Sequence, residues 1–200
     1  IYYDTEDNDL IRASLSKPVY KEKLRMRAYG VPDAQGKVYL EIKKKFRGRV
    51  NKRRTILGLQ EAYDFVATGR QPNRREYMNH QVVAEIEFFL RCYDVHPTLY
   101  LAYDRQAYFS TEDPDLRITF DSRIRTRRYD LGLELGDHGE GLLDDGAVVM
   151  EVKTAGNFPL WLSGLLADHR IYRTSFSKYG REYETMLANN IETSKELLHA

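Results

Sequence analysis

A chain of 200 residues and 23.4 kDa suits a single domain spanning 1–200, large enough to bury about two-thirds of its unfolded surface. Its 31 lysines and arginines against 30 acids leave a formal charge of +1, which excludes a wholly basic nucleic-acid binder. A content of 42% hydrophobic and 30% charged residues excludes a disordered chain, and one cysteine, Cys92, excludes an intramolecular disulfide or a thiolate zinc cluster.

The chain opens on a short strand, Ile1–Asp4, without an initiating methionine or a signal-peptide pattern, and is expected to be a piece of a longer protein. Residues 7–15 read as a short helix with an acidic start. In Tyr20–Ala28 the positions 21, 23, 25 and 27 are all basic, while 24, 26 and 28 are apolar. Val38–Lys45 repeats the alternation, with Val38, Leu40 and Ile42 on one face and Glu41, Lys43 and Lys45 on the other. Period two is the signature of a half-buried strand. Residues 57–68 place Leu59, Ala62, Tyr63 and Val66 on one helical face, and Gly69 closes the helix. A second amphipathic helix covers 81–92 and carries Cys92 as a small core residue. Thr98–Tyr103 is expected to be a strand, followed by a turn and Tyr108-Phe109.

Leu116–Asp121 alternates again, and its polar face is expected to continue through Arg123, Arg125 and Arg127. The glycines between Leu131 and Gly146 lack the G-K-[ST] of a phosphate loop, so Asp145-Gly146 is expected to be a hairpin turn. Val148–Lys153 closes the strand series, with Glu151 and Lys153 on the polar face. Helices are expected over 159–168 and 180–198. The longest apolar stretch, 158–167, is interrupted and far short of the roughly 20 residues that span a membrane. The five histidines, at 80, 96, 138, 169 and 199, show no metal-ligand spacing. The whole reads as α+β.

The bland total charge hides segregation. From Lys17 to Arg54 there are 14 basic residues against three acids, a local charge of +11, so the remaining 162 residues sum to −10. Like charges directly opposite one another on adjacent strands repel, and such rows fit an anion held among them. Glu41 and Glu151 lie within the rows, as counter-charges or as ligands for a divalent cation. The aromatics Tyr20, Tyr29, Tyr39 and Phe46 are scattered over both faces, which disfavours a nucleic-acid stacking platform.

Six segments resemble the VTC domain, the polyphosphate-polymerase branch of the triphosphate tunnel metalloenzymes related to CYTH domains. They are Lys23–Arg27, Leu40–Lys45, Tyr103–Tyr108, Leu116–Asp121, Met150–Thr154 and Ser175–Tyr179, and they follow one another in the family's order over nearly the whole chain. The resemblance implies an antiparallel β-barrel, a tunnel with a basic lumen and helices packed outside. It also implies that a first strand with an E-x-K-like pattern is missing before Tyr2. By similarity, Arg25, Arg27, Lys43, Arg105, Arg117 and Glu151 form the catalytic set. Lys23, Lys52, Tyr103, Arg123, Lys153, Ser177 and Lys178 are expected to hold phosphates, and Glu151 with Glu41 to hold Mn²⁺ or Mg²⁺. The implied activity is transfer of the ATP γ-phosphoryl group to inorganic polyphosphate in the cytoplasm or at the inner face of a membrane. The alternatives are a triphosphate hydrolase of the same fold and a non-catalytic polyphosphate- or inositol-phosphate-binding module.

Overall fold

The computed structural model describes residues 1–198, with side chains through 192, so His199 lies outside the described residues. Eight strands form one antiparallel sheet: β1 (Tyr2–Asp4), β2 (Tyr20–Arg27), β3 (Lys37–Phe46), β4 (Arg49–Gly58), β5 (His96–Phe109), β6 (Arg117–Arg127), β7 (Glu140–Gly141) and β8 (Val149–Lys153). Their order is β4-β3-β2-β1-β5-β6-β7, and β8 also pairs with β6. The apolar even residues of β2 and β3 lie beneath helices α2 (Leu59–Thr68) and α3 (His80–Cys92). Leu24, Met26, Leu40 and Ile42 meet Phe65 and Ile86 there in the main core, each burial stabilising by about 1.5–3 kcal/mol. Gly69, with φ 67°, closes α2 and donates its amide to the Phe65 carbonyl. Asn79 caps α3 by accepting from the Val82 amide, and its own amide donates to Thr55 on β4.

On its other face the sheet is covered, among the described residues, around β1, β2 and β5, and Lys21 of β2 donates to the Ser14 carbonyl. There Leu99 packs with Ile11 of α1 (Asp9–Leu15) and with Tyr179 and Tyr183 of α5 (Lys178–Leu198). The fully buried Asp4 fastens this corner. Its carboxylate accepts the amides of Leu10 and Ile11 at 2.8 and 3.0 Å and the Tyr179 hydroxyl at 2.8 Å. One side chain thus satisfies the free amides at the start of α1 and ties the chain's two ends together.

Several expectations change. The sheet is not closed into a barrel. It runs from a β4 edge to an edge shared by β7 and β8. It is nonetheless curved, so that Glu151 and Lys153 of β8 come within electrostatic range of Lys43 of β3. The helices do not all lie outside: α1 and the start of α5 enter the concave side, because Leu99 and Leu101 of β5 present apolar side chains there. Strand β4 escapes period-two reading because Arg49–Arg54 lacks apolar alternation. Its hairpin with β3 is a two-residue turn in which Arg47 and Gly48 both have positive φ, 47° and 83°, the geometry that suits a tight hairpin. Leu57 belongs to the end of β4, and α2 starts at Leu59.

The expected turn after Tyr103 is absent. β5 is continuous over 14 residues, with an irregularity between Ala102 and Asp104. Opposite it, Arg123 has φ 46°, and this bulge reverses which residues of β6 face which way. Asp121 stays on the concave side, whereas Arg125 and Arg127 turn to the convex side and do not continue the same polar row. Asp144–Ala147 forms a turn, but not a hairpin: β7 and β8 both pair with β6. Cys92 is exposed at the end of α3 rather than in the core. In α4 (Leu160–Asp168) Leu162 is the buried residue.

Arg127 organises the glycine-rich segment. It is buried, lies 3.5 Å over the Tyr100 ring, and donates to the carbonyls of Asp130, Gly132, Gly136 and His138. Gly139 follows where a Cβ would come within 2.7 Å of the Thr126 carbonyl oxygen, so this segment needs glycine to lie against β6. Arg127→Leu is expected to lower unfolding stability by about 3 kcal/mol or more, because four carbonyls lose their donor. Denaturant melts check the loss, and faster proteolysis between residues 128 and 141 locates it.

Candidate polyanion-binding face

The register of β2, β3 and β4 arranges the concave side chains in rows. Lys21, Lys45 and Val50 form one row, then Lys23, Lys43 and Lys52, then Arg25, Glu41 and Arg54, and finally Arg27, Tyr39 and Ile56. Glu41 is 1% exposed. It accepts from Arg25 Nε at 2.6 Å and lies 3.1 Å from Lys52 Nζ. Burial alone pushes its carboxyl up, but the charges of Arg25 and Lys52 outweigh this and hold it below the usual carboxylate range. Arg25 also reaches the Tyr2 hydroxyl at 3.4 Å, and Arg27 reaches that of Tyr103 at 3.3 Å.

The facing wall comes from β5, β6, β8 and α5. Asp121, 1% exposed, accepts a fork from Arg105 at 2.6 and 2.7 Å and a third bond from Lys178 at 2.5 Å. Here too burial opposes ionisation, and the bonds from Arg105 and Lys178 override it. Lys178 sits 4.6 Å over the Tyr103 ring and Arg105 5.1 Å from it. Glu151 is half-exposed, 3.9 Å from Arg105 and 3.5 Å from Lys153. Arg117 stands opposite Lys153 on this wall, and among the described residues its buried Nε has no hydrogen-bond partner. Thr119, opposite Glu151, has a buried hydroxyl that likewise lacks a hydrogen-bond partner among the described residues.

The structure therefore brings together Lys23, Arg25, Arg27, Lys43, Lys52, Tyr103, Arg105, Arg117, Glu151, Lys153 and Lys178 on one concave surface. Two expected phosphate ligands lie elsewhere in role. Arg123 occupies the bulge, is largely exposed, and pairs with Asp104 away from the rows. Ser177 caps α5, accepting from the Gly180 amide at 3.2 Å. Of the two carboxylates expected to hold a metal, Glu41 is closed off between two cations. Among the described residues no group of three or more His, Cys, Asp or Glu side chains is placed to hold a metal ion. A cation here would rest on Glu151 and on oxygens of the bound anion, a mode that suits Mg²⁺ and its relatives. Sequence reading missed Asp121 and Arg54 as parts of the site. The alternation of β6 had placed Asp121 on the right face, whereas Arg54 required recognising β4.

The family comparison agrees with this surface. The VTC domain model matches residues 1–187. The chain belongs to the VTC domain family. That family is associated with polyphosphate metabolism. Comparison with curated proteins gives no match. No helix among the described residues of this VTC domain is long and apolar enough to cross a membrane.

Crowding leaves a titration signature. Burial, then the charges of Lys21 and Lys43, brings the Lys23 ammonium down to about 8 from 10.5. Between those values the unfolded chain holds a proton that the folded chain lacks, so stability rises with pH across that window. A bound polyanion reverses the penalty on the charged form. Tripolyphosphate binding near pH 9 is expected to take up as much as about one proton more in wild type than in Lys23→Met. Calorimetry in buffers of different ionisation enthalpy measures it, and equal uptake by both proteins would contradict the assignment.

Proposed function

We propose that this domain transfers the γ-phosphoryl group of ATP to the end of an inorganic polyphosphate chain, on the cytoplasmic side where ATP is found. The observation that carries the reading is the Lys23–Lys43–Lys52 row flanked by Arg25 and faced by Arg105. These cations are held close together with too few carboxylates to balance them. A linear polyanion balances them, and compact sulfate-sized ions span only part of the surface. Arginine offers a two-pronged donor to phosphate oxygens, and lysine a mobile point charge.

In this reading, Arg25, Arg27 and Arg105 orient the triphosphate, and Lys43, Lys52 and Lys178 hold the acceptor chain in line with it. A terminal oxygen of the chain forms a bond to the γ-phosphorus as the bond to the β–γ bridging oxygen breaks, and ADP leaves with that oxygen. No side-chain nucleophile is needed, because phosphoryl transfer draws mainly on positioning and charge stabilisation. Glu151 is the residue that would hold Mn²⁺ or Mg²⁺, which would neutralise charge on the phosphate oxygens. Glu41 and Asp121 do not touch the phosphates; they fix Arg25 and Lys52, and Arg105 and Lys178, in their working directions.

Incubation with ATP and Mn²⁺, followed by gel analysis, is expected to give a polymer ladder. Arg105→Ala is expected to slow its formation by about 100-fold or more, while Glu151→Gln should depress turnover far more than tripolyphosphate binding. Free phosphate as the sole product would favour the hydrolase. Folded protein that binds polyphosphate without any turnover would favour the binding module.

A further inference from the structure

The concave rows are graded from end to end, and the grading has a chemical meaning. At one end the rows are lysine: Lys21 with Lys45, then Lys23 with Lys43 and Lys52. At the other end the cations are arginines: Arg25 is held by Glu41 and the Tyr2 hydroxyl, and the outer two are stacked on tyrosines. Arg27 lies 4.7 Å from the Tyr29 ring and Arg54 lies 4.6 Å from the Tyr39 ring. The two tyrosines meet edge to face, their centroids 5.7 Å apart and their planes at 83°. Tyr29 is nonetheless 68% exposed, so much of its ring is open to solvent beside Arg27. Beyond Tyr39 the row ends on Ile56, an apolar neighbour. Tyr20 and Phe46, by contrast, pair with each other at the lysine end of the sheet.

An inorganic polyphosphate has no group that gains from an aromatic surface. A nucleotide has one, its base, at the end opposite its γ-phosphate. We infer that the Tyr29–Tyr39 platform with Arg27 and Arg54 is a nucleobase subsite, which receives the base of a nucleoside triphosphate and directs its phosphates toward the lysine rows. This rests on the polyanion reading and adds a direction to it: the nucleoside enters at the arginine–tyrosine end, and the growing chain occupies the lysine end. Stacking accepts any base, since each has a π face, so the subsite separates nucleotides from inorganic phosphates more sharply than it separates one base from another.

Arg27 belongs to both halves. It stacks on Tyr29 and donates toward Tyr103, which places its guanidinium between the aromatic end and the phosphate-gripping residues. A base seated on Tyr29 therefore lies one side chain away from the first phosphate contacts. Cation–π and stacking contacts of this kind strengthen one another when a ligand excludes water.

The test compares ATP with tripolyphosphate, which carries the phosphates without a base. Binding of each to wild type, Tyr29→Ala and Tyr29→Trp is measured by calorimetry. Tyr29→Ala is expected to weaken ATP by roughly tenfold and to change tripolyphosphate by less than about twofold, while Tyr29→Trp retains wild-type ATP affinity. If ATP and tripolyphosphate weaken equally, Tyr29 acts only by propping Arg27 and the subsite is overturned. If ATP is unaffected while tripolyphosphate binds normally, the subsite is overturned and the polyanion reading stands. Failure of wild type to bind tripolyphosphate overturns both.

Discussion

The central constraint in this molecule is repulsion among lysines and arginines placed side by side on one surface. Strand pairing fixes Lys23 opposite Lys43 and Lys43 opposite Lys52, and the side chains cannot avoid one another without giving up the register. That register is in turn held by the apolar residues between them, Leu24, Met26, Leu40 and Ile42, which are buried beneath α2 and α3. Hydrophobic burial on the convex side thus enforces electrostatic crowding on the concave side. A one-residue slip would expose the core and bury the cations together, so the arrangement is locked in from both faces.

Two buried carboxylates make the crowding tolerable and give it order. Glu41 holds Arg25 and Lys52, and Asp121 holds Arg105 and Lys178. Each joins cations from different strands or from a strand and a helix, so each sets geometry as well as charge. Removing one would take from two partly buried cations the carboxylate closest to them, a larger loss than the pair's own net contribution. Asp4 does comparable work for the scaffold by tying α1 and Tyr179 of α5 to β1. This places Lys178, the neighbour of Tyr179, against the facing wall.

Much of this was legible in the residues because period-two alternation reports faces directly. The polar and apolar faces of β2, β3 and β8 follow from it, and the residues themselves show the concentration of charge before Arg54. What it could not report were breaks in its own rule. The bulge at Arg123 depends on a positive φ in a non-glycine residue, and nothing in the local pattern marks it. Arg125 and Arg127 therefore belong to the convex side, where Arg127 holds the glycine-rich segment. Strand β4 was hidden because its outer half is polar on both faces, and only the Arg47-Gly48 turn betrays it. The reach of α1 and α5 into the concave side depends on Leu99 and Leu101, whose direction follows from their pairing beside β1. The family pattern implied closure into a tunnel, whereas hydrogen bonding leaves the sheet open between β4 and the β7–β8 edge. Curvature still brings Glu151 and Lys153 within electrostatic range of Lys43, so the two walls face each other across the concave side.

The most direct measurement is a crystal structure of the protein with tripolyphosphate bound. The account predicts phosphorus positions on the concave face between the Lys23–Lys43–Lys52 row and Arg105, with Glu41 still held by Arg25 and Asp121 by Arg105. Tripolyphosphate seated instead against the convex side or at Arg123, with the lysine row empty, would contradict it.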